Sequence, residues 1–79
     1  MASLDEAIRL LEHGDWQAAH RIVQKDSSSS GSWAHGIVHI MEGDMRNAGY
    51  WYGRAGRELP DASEVDAEIA ALKAETGSD

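Results

Sequence analysis

The sequence predicts an all-α protein: two antiparallel helical hairpins stacked on one another, with a C-terminal capping helix. Three observations carry that prediction. Apolar residues recur every three to four positions in five separate stretches, which is the spacing of one helical face. The dipeptides Gly14-Asp15 and Gly43-Asp44 divide the first four stretches into two pairs. The second pair also repeats the first, without a gap, at an offset of 29 residues.

The first helix opens with Ser3-Leu4-Asp5-Glu6, a capping-box pattern in which the Ser3 hydroxyl accepts a free N–H and Glu6 reaches back. Leu4, Ala7, Ile8 and Leu11 form its apolar stripe. Gly14 suits the left-handed residue that ends a helix, and Asp15 is the N-cap of the next. That second helix places Trp16, Ala19 and Val23 on one face, and a two-residue joint folds it back on the first. Together they make repeat unit one, residues 4–25.

Asp26-Ser27-Ser28-Ser29-Ser30-Gly31 reads as a flexible connector by composition, a phosphorylation target being the less favoured alternative for its four serines. Ser32 is the expected cap of a third helix bearing Trp33, Ile37, Ile40 and Met41. After Gly43-Asp44 a fourth helix is expected over residues 45–57, with Ala48, Tyr52 and Ala55 on one side and Pro60 closing it. Repeat unit two is thus 32–57. Asp61 or Ser63 caps the last helix, 61–75, whose Val65, Ile69 and Leu72 make a narrow stripe flanked by Glu64, Asp66 and Glu68. Gly77-Ser78-Asp79 is expected to fray.

Seventy-nine residues make one domain, residues 1–79, near the lower size limit for an unaided core. There is no Phe, so the three Trp must supply much of the buried area. There is no Cys, so disulfides, thiolate nucleophiles and Cys-type zinc sites are excluded. The net charge of −7 repels nucleic-acid phosphates and anionic membrane surfaces, so neither is an expected partner. MASLDEAIRL lacks the basic and apolar blocks of a signal peptide, and no apolar run reaches membrane-spanning length, so a cytoplasmic protein is expected.

Laying residues 4–24 over 33–53 aligns Ile8 with Ile37, Gly14 with Gly43, Asp15 with Asp44 and Ala19 with Ala48. These identities fall at the joint and on the packing face, as in a stacked helical-hairpin repeat. The second unit, with Gly43-Asp44-Met45, Ala48, Tyr52, Ala55 and Pro60, resembles the tetratricopeptide repeat. Its Asn47-to-Gly56 segment, containing Trp51-Tyr52 and Ala55, is similar to the Sel-one-like repeats. Unit one matches at Gly14, Trp16, Ala19 and Val23, and its offset is shorter than the family's roughly 34 residues. The resemblance implies a stacked-hairpin fold and the binding of proteins or peptides.

The stretch from Trp33 to Arg57 holds two Trp, both Tyr and two of the four His. His35, His39 and Glu42 share one face at i, i+4 and i+7, a spacing that suits zinc or another divalent metal. In a stacked array His20 and Gln24 of the second helix come near that face, giving a polar cluster of His20, Gln24, His35, His39 and Glu42. Its alternative reading is a hydrogen-bonded histidine face without metal. There is no His-Glu-x-x-His motif, no evident nucleophile and no phosphate-binding glycine loop, so no catalytic residue is assigned.

Gly49, Gly53 and Gly56 give the fourth helix a smooth side, suited to close docking of the fifth helix or to a groove for a partner helix. Asn47, Trp51 and Arg54 occupy a third side. Trp and Arg are typical interaction hot spots, but Trp51 also fits a core position and Arg54 an ion pair with Glu58. Three functions follow as expectations: a protein- or peptide-interaction module, a histidine or metal site at the junction, and a homodimer whose function is assembly.

Overall fold

The computed structural model describes residues 3–77. The fraying expected of Ser78 and Asp79 lies outside the described residues, as do Met1 and Ala2 of the segment read for a leader. The architecture is all-α: α1 (Leu4–Glu12), α2 (Trp16–Val23), α3 (Ser29–Glu42), α4 (Met45–Arg54), a 3₁₀ turn (Ala62–Glu64) and α5 (Val65–Thr76). No strand occurs among the described residues, and no helix there is long and apolar enough to cross a membrane.

The two joints are built alike. Gly14 and Gly43 take left-handed φ values of 81° and 92°, which L side chains rarely adopt. In each the next aspartate closes the turn: Asp15 N–H donates to the Leu10 carbonyl and Asp44 N–H to the His39 carbonyl, both at 2.9 Å. Each aspartate then caps the following helix. Asp15 accepts the Ala18 N–H and Asp44 the Asn47 N–H, each at 3.2 Å. Behind the joints the aligned pairs Ile8 and Ile37, Ala19 and Ala48, and Val23 and Tyr52 are all buried.

Helix α3 is the centre of the molecule. It packs against α1, α2, α4 and α5, and every residue from Gly31 to Ile40 is buried. It can take that place because apolar and small residues cover most of its circumference, and on the remaining side His35 and His39 are buried as well.

Its start differs from expectation. Ser28, not Ser32, is the N-cap, its Oγ accepting the Gly31 N–H at 3.0 Å, and Ser32 is buried inside the helix. Asp26 Oδ1 accepts the Ser28 N–H at 2.9 Å, so the serine-rich stretch is partly a capping device and only partly a connector.

The other end of the repeat differs too. Helix α4 stops at Arg54, well before Pro60. Gly56, at φ 73°, lies outside the helix, and the Arg57 N–H turns back to the Tyr52 carbonyl at 3.0 Å. Helix α5 does not dock on the glycine side of α4. It packs on α3 and α1, burying Ile69 and Leu72, and a Cβ at Gly53 would meet open space. Asp61, one of the two expected caps, caps the 3₁₀ turn through a capping box with Glu64, and α5 itself starts later than expected, at Val65, with no side-chain cap.

Two features fix the packing of α3, α4 and α5. At Gly36 a Cβ would run into the Tyr52 ring, so the glycine is the space that this buried aromatic fills. Nearby, Glu68 of α5 accepts two hydrogen bonds on one carboxylate oxygen, from Trp33 Nε1 at 3.1 Å and from the Tyr52 hydroxyl at 2.8 Å. Burial, then the Glu68 bond and charge, push the Tyr52 pKa up, so Tyr52 stays a neutral donor. The Arg57 guanidinium lies 3.5 Å from the Trp33 ring centre and also reaches Glu75.

Gly36→Ala is expected to cost about 1–3 kcal/mol of folding stability in denaturant unfolding, as overpacking does. Combining it with Tyr52→Val, the residue type of unit one, should give a double variant more stable than the sum of the two single changes allows. Strict additivity would show that the two residues do not share one space. Glu68→Ala should cost about 1–3 kcal/mol for each donor left unpaired, and Glu68→Gln, which keeps an acceptor, clearly less. Equal losses would assign the effect to packing of the side chain alone.

Candidate functional site

Where α2 crosses α3, three imidazoles meet. His20 comes from α2, half-buried, while His35 and His39, one turn apart on α3, are buried. Ring centres are 4.9 Å apart for His20 and His35, 5.5 Å for His20 and His39, and 5.0 Å for His35 and His39. One ring nitrogen of each lies within 4.8 Å of those of the other two. His39 Nδ1 is 2.8 Å from Glu42 Oε1, a contact that fixes the ring and leaves Nε2 free.

Two different sides of the sequence reading thereby become one site. Trp51 of α4, assigned above to a separate face, stacks on His35 with ring centres 3.8 Å apart and planes inclined by 9°. The Arg54 guanidinium carbon lies 5.4 Å from the indole's ring centre, and Arg54 Nη1 donates to the Tyr50 hydroxyl at 3.3 Å. Arg54 therefore does not form the expected ion pair with Glu58.

Burial first, and then the neighbouring His39 and His20, together lower the His35 pKa to about 4. His35 is neutral at pH 7. Beside the histidines a cleft of about 360 Å³ is bordered by Trp16, His20, His39, Glu42, Asp44 and Asn47. A larger cleft, about 640 Å³, lies between the start of α1 and the end of α2 at Ser3, Leu4, Arg21 and Lys25, and holds no comparable cluster.

Of the residues singled out in the sequence, His20, His35, His39, Glu42 and Trp51 are brought together, and Asn47 lies on the rim of the cleft. Gln24 is left out: it caps the C-terminus of α2, exposed, with no side-chain bond to the histidines. The three residues whose ligand atoms converge are His20, His35 and His39, so His20 stands where the sequence reading put Glu42. Glu42 instead sits behind His39, and with Asp44 and His39 makes a second, exposed group.

The sequence reading missed the stack of Trp51 on His35, though a signal for it exists. Those residues stand eight positions before and eight after Gly43, and residues equidistant from a tight joint lie level with one another. It also missed Asp44 as a cleft residue, because capping α4 accounted for it.

Chemically the site offers neutral or protonatable imidazoles, a carboxylate and an aromatic wall. No Ser, Thr or Tyr borders the cleft among the described residues. Compared with known protein families, with curated proteins and with solved structures, the chain matches none.

The lowered His35 pKa makes folding pH-dependent with a definite sign. The unfolded chain, with histidine near 6.5, binds the proton more readily than the fold. The contribution is complete above pH 6.5, falls as the pH drops toward about 4, and is constant below that. His20 and His39 face the ring, and Glu42 holds His39. In urea unfolding with a chelator present, the wild type should lose roughly 3 kcal/mol more over this range than His35→Gln. Parallel pH profiles for the two proteins would contradict the assignment.

Proposed function

We propose that this chain is a two-unit tetratricopeptide-like domain acting in the cytoplasm as a protein- or peptide-interaction module, and that its binding face is the open side of α4. The observation that carries the reading is the grouping of His35, Trp51 and Arg54. The indole is held by stacking on a buried imidazole, with the Arg54 guanidinium 5.4 Å from its ring centre and the exposed Tyr50 beside it. Trp, Tyr and Arg are the side chains that dominate interface energetics, and rigid presentation lowers the entropy lost on binding.

The chemistry of the partner follows from charge. Arg46 and Arg54 are exposed on this side of α4, and neither is paired with a carboxylate among the described residues. Helix α5 leaves the face uncovered, and Gly53 keeps its surface low. The partner is therefore an acidic segment, held by Arg46 and Arg54 and covering Tyr50 and Trp51. A second copy of the chain is one source of such a segment, since Asp66 is exposed on α5.

A fluorescein-labelled acidic helical peptide should bind in anisotropy measurements with an affinity that falls as salt rises. Arg54→Glu should weaken it by roughly tenfold or more while leaving the thermal unfolding midpoint unchanged. Trp51→Ala should weaken it as well. Binding indifferent to Arg54→Glu would remove this face from the interaction, and sedimentation over a wide concentration range would reveal the self-associated form.

A further inference from the structure

We infer that His20, His35 and His39 form a binding site for one divalent transition-metal ion, zinc by its ligand chemistry, with Glu42 orienting His39 from behind. The inference does not depend on the α4 interaction face. It rests on four observations about the cluster itself.

The first is convergence. Three ring nitrogens from two helices lie within 4.8 Å of one another. Three zinc–nitrogen bonds of about 2.0–2.1 Å in tetrahedral geometry need nitrogens about 3.4 Å apart. The nitrogens as they stand exceed that spacing by at most about 1.4 Å.

The second is availability. His39 spends Nδ1 on Glu42, which leaves Nε2 as the ligand atom, the arrangement in which a carboxylate behind a histidine sets its tautomer and raises its basicity. Neither His20 nor His35 makes a side-chain hydrogen bond among the described residues. No fully buried side-chain nitrogen there lacks a partner, so the uncommitted nitrogens of these two rings remain reachable.

The third is the donor set. Three imidazoles without a thiolate match zinc and its late first-row neighbours, and exclude magnesium and calcium, which take oxygen ligands. The fourth is access. His20 and His39 border the cleft that also holds Asp44 and Asn47, so three protein ligands leave an open coordination position toward solvent. The net charge of −7 favours the approach of a cation.

The experiment uses the tag-free full chain, stripped with chelator and titrated with Zn²⁺ and Co²⁺. The expected result is one ion per chain, a raised thermal midpoint with zinc, and the visible d–d bands of tetrahedral cobalt. Long-range ¹H–¹⁵N spectra of the unaltered protein should show zinc shifting the ring signals of His20, His35 and His39 and not those of His13, whose Nδ1 is 2.8 Å from the Arg9 carbonyl oxygen. Glu42→Gln should weaken zinc binding by about 10–100-fold, as loss of a carboxylate behind a ligand does. His20→Asn should abolish the cobalt bands, while His13→Asn should leave them intact. Absence of saturable binding by the unaltered chain would overturn the proposal. So would zinc shifts centred on His13, or cobalt bands that survive His20→Asn. The titration and the spectra need no variant, so a variant that fails to fold does not remove the test.

Discussion

The structure depends on the burial of α3 on every side. A helix touched by four others has no wet face, and each polar residue on it must be satisfied inside the fold. Its composition answers that demand in two ways. Most positions are apolar or small. Of the polar exceptions, His39 bonds to Glu42 and the Trp33 indole N–H to Glu68, while His35 is held by ring contacts with Trp51 and His20 and makes no side-chain hydrogen bond among the described residues. Because these partners come from α2, α4 and α5, the polar groups of α3 also fix how the outer helices are set around it.

The helix pairs α1–α2 and α3–α4 fill their corresponding positions with different residues and both stay packed. Unit one places Ala7 and Val23 where unit two has Gly36 and Tyr52. Volume taken from one helix is given to the other, and the interior stays close-packed. The exchange puts a hydroxyl in the core beside Trp33, and Glu68 of α5 serves both groups. The capping helix is therefore tied to unit two by polar contacts that unit one has no residues to make. The surface pairs Lys73 with Glu12 and Arg57 with Glu75 add little to that attachment, since exposed ion pairs contribute about 0–1 kcal/mol.

Much of this was legible in the sequence, for reasons that can be stated. The helices and the joints at Gly14 and Gly43 were readable because capping and left-handed turns are local chemistry. The meeting of His20 with His35 and His39 was readable because stacking two units fixes which faces oppose. The start of α3 was misread because serine is ambiguous: the same residue type caps a helix, lines a loop, or is buried one turn in, and only Asp26 and the packing around α3 decide. The docking of α5 was misread because smoothness was taken as attraction. Gly49 and Gly53 offer little apolar area, whereas α1 and α3 offer a groove that Ile69 and Leu72 fill. Glu68 was read as flanking charge because its two donors are far away in the chain.

Compared position by position, the second helix pair departs from the first at the histidine cluster. Glu6 and Ile22 stand level across the first joint as His35 and Trp51 do across the second, and Leu10 corresponds to His39. The fold has no need of the second set, since the first hairpin packs without it. Nor does stability favour it. Burial holds the His35 pKa far below its ordinary value, which is the mark of an imidazole kept where its charged form is disfavoured. An apolar side chain in place of His35 would be buried at no such desolvation cost. Three imidazoles, a carboxylate behind one and an indole over another form an arrangement that packing alone does not call for. It sits at the one junction where both hairpins, and a cleft open to solvent, can reach it.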